Sequence, residues 1–416
     1  MEKLKKHCTV ISGYAFKSED LHDQDEIPVV KIGNISNGKN IVIDKGTQYV
    51  SKDFLSIDEK YHIKKGDILI SLTGSHLNQP NSIVGRSCRS YNDDVYLLNQ
   101  RAGKVICKDN TDLDYMYYLL STKAMKDSIV NRAYGAANQV NVSPTDIMDI
   151  KWDFVDYKQQ KKIGKILSKY DYLIALNTKR IKLLEQMAEN LYKEWFVRFR
   201  FPGHEKAEFE NGIPKGWLKQ RLYQFGITLD SGSRPSGGID ESLEIGAPSL
   251  GAEAISDLGE FDFSKVKLIP FEYYNKMKCG KNGEKDILIY KDGAYIGKTT
   301  IFMNDFPFSS YAVNEHVFLL NSTDAVYQYY LYFTLHQKEY FELMQNLNRN
   351  AAQPGLSQSD INRIKIVVPD KKVVIEFNKL IQPIFDLIFE IAKQKQYLTK
   401  QRDLLLPRLM SGKLEV

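Results

Sequence analysis

The sequence predicts a mixed α/β (α+β) protein built twice over: two globular parts separated by two long antiparallel coiled-coil helices, related by a pseudo-twofold internal repeat. Three observations predict it. The segment "GDILISLTG" (66–74) returns 219 residues later as "KDILIYKDG" (285–293), matching Asp67 to Asp286 and Gly74 to Gly293. The segment "GAANQVNVSPTDIMDIKW" (135–152) returns as "NAAQPGLSQSDINRIKIV" (from 350), matching Gln139 to Gln353, Ser143 to Ser357, Asp146 to Asp360 and Ile147 to Ile361. The same offset of 214 lays "IGKILSKYDYLI" (163–174) on "FNKLIQPIFDLI" (377–388), so each copy is globular first and helical afterwards.

Taken in order, the first globular part carries strand-like runs at 27–35, 66–72 and 103–107, rich in β-branched residues, and a helical run at 113–129. Its helix follows. Leu167, Tyr170, Ile174, Asn177, Ile181, Leu184, Ala188, Leu191 and Trp195 step alternately by three and four, the spacing of a coiled-coil seam. Asn177 is the polar member of that stripe; it either fixes register from a buried position or sits at a solvated edge. "FPGHEKAEFENGIPKGW" (201–217) reads as a linker from its Pro, Gly and charge. The second globular part repeats the pattern, with strands at 286–290 and 315–320 and a helix at 325–344. Ile381, Ile384, Ile388, Ile391, Lys395, Leu398, Arg402, Leu405 and Leu409 form the second stripe, which Pro383 is expected to kink or delay because proline lacks an N–H. Roughly 35 residues at about 1.5 Å each make a rod of about 50 Å.

"KDGAYIGKTTI" (291–301) has the residue types of a phosphate-binding loop but not its spacing. That loop needs four residues between its first glycine and the Gly-Lys pair, and a helix after it. Here Ala294, Tyr295 and Ile296 intervene, Asp292 is an anion, and Thr299-Thr300-Ile301-Phe302-Met303 favours a strand. The expectation is a hairpin with a glycine-rich tip, which weighs against the alternative of a nucleotide-hydrolysing enzyme using 293–299.

The chain of 416 residues is long enough for two or three domains. Its 57 Lys+Arg against 52 Asp+Glu permit a nucleic-acid partner without requiring one. Cys8, Cys88, Cys107 and Cys279 have no metal-ligand spacing, and the 7 His form no H-x-E or H-E-x-x-H pattern, so no metal is expected. With no apolar run of membrane length and no signal core, a cytoplasmic location is expected.

Two similar heads on a spacer suit a ligand with two spaced sites, as duplex DNA offers in successive major grooves about 34 Å apart. Asn, Gln and Arg read base edges, and Lys and Arg meet phosphates. Such residues stand at Thr73, Ser75, Arg86, Asn99, Gln100, Arg132, Asn138, Gln139 and Asn141 in the first copy. In the second they stand at Arg234, Lys291, Tyr295, Lys298, Asn314, His316, Arg349, Asn350 and Gln353. The other reading of these positions is that loop amides satisfy their own turns.

The helix "QQKKIGKILSKYDYLIALNTKRIKLLEQMAENLYKEWFVRFRF" (159–201), the end "LTKQRDLLLPRLMSGKLEV" (398–416), and the segments "IPKGWLKQRL" (213–222), "SGSRPSGG" (231–238), "GAYIGK" (293–298) and "ISLTGS" (70–75) carry a resemblance over essentially the full length. Together they resemble the specificity subunits of type I restriction–modification enzymes. The resemblance implies target-recognition domains at 1–155 and 201–370 (with a linker at 201–217) and spacer helices at 156–200 and 371–416. It implies a non-catalytic reader of double-stranded DNA within an endonuclease and adenine-methyltransferase complex. Each domain would read half of a bipartite target, while the helices set the gap and dock two methyltransferase subunits. S-adenosylmethionine would belong to those subunits, and ATP and Mg2+ to nuclease–translocase subunits, with no cofactor in this chain. No N-P-P-Y or D-P-P-Y run is present, and "DEK" (58–60) and "DKK" (370–372) lack the acidic context of a nuclease site. A protein-only coiled-coil adaptor would explain the helices but not two large divergent heads.

Overall fold

The structure is a computed structural model that describes the chain except residues 36, 37, 39, 75–82, 92, 137, 138, 255, 294 and 350–354, and except the side chains of Ala136, Gln139, Ala254, Asn348 and Arg349. It divides into two compact units, Met1–Tyr172 with Thr399–Val416, and Leu173–Leu398.

In the first unit β1 (Cys8–Ser12), β2 (Ile68–Ser71), β3 (Ser87–Arg89) and β4 (Ala102–Cys107) form an antiparallel sheet in the order β1-β4-β2-β3. Ile68, Leu69 and Ile70 are wholly buried, as an apolar run covered on both faces must be. A smaller sheet sets Ile27–Val30 parallel to Tyr96–Leu98, with Gln48–Val50 and His62–Ile63 as the outer strands. Glu2–Lys3 pairs with Lys151–Trp152, which ties the start of the globular part to its end.

The second unit repeats this plan. Here β5 (Ile227–Ser231), β6 (Lys285–Tyr290), β7 (Thr299–Met303) and β8 (Val317–Ser322) pair in the order β5-β8-β6-β7. Ala247–Leu250 lies parallel to Ala312–Val313 and antiparallel to Lys267–Ile269, and Leu218–Arg221 pairs with Lys365–Val368 at the closing ladder. The expected hairpin across 291–298 is present as β6 and β7. A strand follows the glycine-rich tip where a nucleotide-binding loop needs a helix, which removes the hydrolase reading.

Each expected single helix is two. Leu113–Ser121 and Lys123–Val130 break at Thr122, and Gln328–His336 and Lys338–Arg349 break at Gln337, both residues being extended. The run expected as one strand at 27–35 stops at Val30 and continues as a 3-10 turn over Ile32–Ile35. The 201–217 stretch is more than a linker. Phe209–Glu210 pairs with Ile213–Pro214, and Phe201 and Trp217 are buried and stacked at 5.3 Å.

The long helices are Tyr157–Tyr192, closing in a π turn at Lys193–Val197, and Lys371–Met410. Of the expected effects of Pro383, a delayed start is excluded, because the second helix runs unbroken from Lys371 through Pro383 to Met410. Pro383 is exposed, while Ile381, Phe385, Ile388 and Phe389 are wholly buried. Burial of those side chains, worth about 1.5–3 kcal/mol each, outweighs the roughly 3 kcal/mol cost of an interior proline.

In the first unit the helices run antiparallel: Lys162 Nζ donates to the Val416 carbonyl, and Arg402 pairs with Asp171. In the second they do so again, with Ile181 and Ile388 flanking Gly259 and Trp195 against Phe377. The seam merges with the globular cores. Ile163, Leu167 and Leu409 join the core of the first unit, while Ile181, Ala188, Trp195, Ile381, Ile388 and Ile391 join that of the second. Leu184, Leu191 and Ile384 pack on the second core and Leu405 on the first, whereas Tyr170, Ile174 and Leu398 are half-buried.

Candidate nucleic-acid interface

The two globular folds present one turn at the same place, just after the strand that runs parallel in the smaller sheet. In the first unit it is Asn99-Gln100-Arg101. The Asn99 amide is donated to the Val30 carbonyl at 3.1 Å, and its side-chain oxygen accepts from the Arg101 N–H at 3.3 Å. In the second it is Asn314-Glu315-His316, with the Asn314 N–H on the Leu250 carbonyl at 3.0 Å and its side-chain oxygen on the His316 N–H at 2.9 Å. Both asparagines are buried and their acceptors bent back onto their own turns, so each turn presents its second and third residues.

A glycine admits each turn. A Cβ on Gly13 would lie 2.3 Å from the Leu98 carbonyl oxygen, and one on Gly232 would lie 1.6 Å from that of Val313. Both glycines directly follow the first strand of their sheets, β1 and β5. Only a residue without a Cβ lets the backbones approach so closely.

Around the second turn the charged groups interlock. Glu315 accepts from Arg234 Nε at 3.0 Å and lies 3.3 Å from His316 Nε2, while His316 Nδ1 is 2.6 Å from Asp292. The Lys291 N–H donates to the His316 carbonyl at 3.0 Å, and its ammonium stands 5.2 Å over the Phe318 ring. Sequence reasoning proposed Arg234, Lys291 and His316, and the fold gathers them; it missed the carboxylates Asp292 and Glu315, which hold Arg234 and His316. An anion among cations is a positioning device here, because each carboxylate limits the rotamers of the basic group it holds. Tyr295 is exposed beside Tyr290. Lys298 points elsewhere: it pairs with Asp257 at 2.9 Å and lines a cavity with Glu189 and His336.

In the first unit Thr73 donates its hydroxyl to the Asn141 side-chain oxygen at 2.8 Å across paired strands, so two proposed residues meet. Gln100 and Arg132 are exposed, and Arg86 is half-buried, its guanidinium pushed below its ordinary range by burial. Exposed Arg101, the counterpart of His316, was missed, as was Lys31, whose ammonium burial and the nearby Arg101 hold below its usual range. Matching the two Asn-x-basic turns residue by residue would have found Arg101. Ser75, Asn138, Asn350 and Gln353 lie outside the described residues, as do the side chains of Gln139 and Arg349.

Among the spacer residues Asn177 is buried, and its side-chain oxygen accepts from Arg180 at 3.4 Å. Asn177 is therefore not at a solvated edge.

A fold made twice, each copy closing an Asn-x-basic turn with a buried asparagine, defines a class of proteins with two related globular folds on one chain. The family of type I restriction modification DNA specificity domains matches residues 1–186 and 232–399. The chain belongs to this family, the DNA-recognising specificity subunits of type I restriction–modification systems. It is 28% identical to the type I restriction enzyme MjaIX specificity subunit of Methanocaldococcus jannaschii, over 94% of this chain and 87% of that one. It is 23% identical to the HindI specificity subunit of Haemophilus influenzae, over 85% and 88% of the two chains. Among solved structures, the type I restriction–modification S subunit of M. genitalium has a similar fold, with a TM-score of 0.57 at 17% identity, covering 98% of this chain and 95% of that one.

Proposed function

We propose that each globular fold reads one half of a bipartite duplex target, and that the paired helices set the unspecified gap and dock two methyltransferase subunits. The observation that carries this is the turn presented twice by one topology with different reading residues, Gln100-Arg101 in one copy and Glu315-His316 in the other. Arginine suits guanine N7 and O6 in the major groove, which a histidine in its place would not match bidentately. Different side chains on one frame specify different half-sites.

The chain supplies no catalysis of its own in this reading. Adenine methylation with S-adenosylmethionine belongs to the methyltransferase subunits, and ATP- and Mg2+-dependent translocation and cleavage to nuclease subunits. The complex works in the cytoplasm. In support, no helix among the described residues is long and apolar enough to cross a membrane.

Methylome sequencing of cells expressing the chain with its methyltransferase tests the assignment. Arg101→Ala should relax the motif in one half-site and His316→Ala in the other, each by about 1–3 kcal/mol of discrimination. If both substitutions altered the same half-site, or neither altered any, the assignment of turns to half-sites would be wrong.

A further inference from the structure

Away from the reading turns, the second unit brings together Glu185 and Glu189, one turn apart on the first long helix, and His336, the last residue of the helix Gln328–His336. One ligand atom from each lies within 4.8 Å of the others, and all three residues are half-buried. The histidine is held as a metal-binding imidazole is held. Its Nδ1 lies 3.2 Å from both the carbonyl and the hydroxyl oxygen of Thr299, which assigns the ring proton to Nδ1 donating to the carbonyl. Tyr332 stacks on the ring at 5.2 Å. Nε2 is thereby turned, lone pair outward, toward Glu189 Oε1 at 3.7 Å.

That separation is too long for a good hydrogen bond. It is close to the spacing of two ligands that share an ion at about 2.0–2.2 Å in tetrahedral geometry. At this spacing the Nε2 lone pair and the Glu189 Oε1 lone pairs can both point at one cation. The neighbouring ammonium groups stay off the Nε2–Oε1 gap: Lys193 holds the other oxygen of Glu189, Oε2, at 3.2 Å, which leaves Oε1 for an ion, and Lys298 holds Asp257 at 2.9 Å. Glu189, His336 and Thr299 also line an open cavity of about 430 Å³, which provides room for water in a fourth position.

We propose that Glu185, Glu189 and His336 bind one divalent transition-metal ion of the zinc class. Two carboxylates and one imidazole suit Zn2+ or Mn2+ better than Mg2+, which demands an octahedral oxygen shell. The ion pins the recognition fold of the second unit to the first long helix. No local motif announced the site, since His336 comes from a different element far along the chain from the two glutamates. The site is independent of which half-site this unit reads.

The test uses the full chain carrying Cys279→Ser, which removes the exposed thiol, stripped with chelator and titrated with Zn2+ by calorimetry. One Zn2+ per chain is expected, together with a higher midpoint of thermal unfolding. Glu189→Gln and His336→Gln should each weaken binding at least tenfold and abolish the thermal shift. X-ray absorption of the loaded parent chain should show only nitrogen and oxygen ligands, including one imidazole, and needs no variant at the site. No binding by the parent chain, unchanged binding in both variants, or a sulfur shell would overturn the proposal.

Discussion

Asp67 and Asp286 occupy the same place in the two copies, yet they sit in different electrostatics. Each accepts from the N–H three residues earlier, Lys64 for Asp67 at 2.9 Å and Gly283 for Asp286 at 2.5 Å. The second partner differs: Lys104 Nζ reaches Asp67 at 3.4 Å, whereas Asp286 has the neutral Asn321 amide at 2.8 Å. Burial without a cation lifts the Asp286 carboxyl above its ordinary 3.8, and the Asn321 and Gly283 donors offset part of that rise. The folded chain therefore takes up this proton at a higher pH than the unfolded chain does. Relative to Asp286→Asn, the wild-type protein should gain stability as pH falls through the folded value towards 3.8, and gain nothing above it. Urea unfolding of both chains at stepped pH measures the difference; a gap that does not change with pH would refute the argument. Of this site the sequence showed the aligned aspartates, but not that their partners 104 and 321 differ in charge, because those residues come from another strand. The same limit explains the reading turns. Asn99 and Asn314 were visible as residue types, whereas their burial and the carboxylates of Asp292 and Glu315 behind His316 depend on contacts that no local pattern encodes.

At the scale of elements, what was legible had a local cause. The seven-residue stripes announced both long helices, and Ser143/Asp146 and Ser357/Asp360 form identical capping boxes, with each serine hydroxyl 2.6 Å from its aspartate. The continuity of the second helix through Pro383 was not legible, because tertiary packing decided it. Pro383→Ala should therefore stabilise the chain by about 1–3 kcal/mol, since it restores an N–H at an exposed position and costs no packing. A rise in the urea midpoint measures this, and an unchanged or lower midpoint would show that the helix needs the proline. The seam also carries charge. In the first unit Arg402 Nη1 meets Asp171 at 2.5 Å, and Tyr118 donates its hydroxyl to the other oxygen of the same carboxylate at 2.5 Å. Removing only the arginine, as Arg402→Met, leaves a largely enclosed carboxylate unpaired and should cost about 3 kcal/mol. The double variant Arg402→Met with Asp171→Leu should recover part of that loss, and the triple variant that adds Tyr118→Phe, which removes the orphaned hydroxyl, should recover most of it. If the double variant were as unstable as the single one, the pair would not be the source of the loss.

For the whole molecule, the decisive feature is that the chain leaves and re-enters its first unit at two helical points, after Tyr172 and before Thr399. Both points lie within continuous helix. A helix pair of this kind can act as a ruler only if both members lengthen together; lengthening one alone would throw the seam contacts on one side of the insertion out of register with those on the other. Matched insertions of one heptad after Tyr172 and after Leu398 keep both stripes in phase to within about 20°. They add about 10 Å, at 1.5 Å per residue. Against a base-pair rise of about 3.4 Å, the unspecified gap in the methylated motif should grow by about three base pairs while both half-sites stay as they were. Insertion in the first helix alone should instead lower stability and methylation together. The methylome of cells carrying the doubly extended chain distinguishes the outcomes: a longer gap with unchanged ends marks the helices as the ruler, whereas an unchanged gap would place its control in the recognition folds.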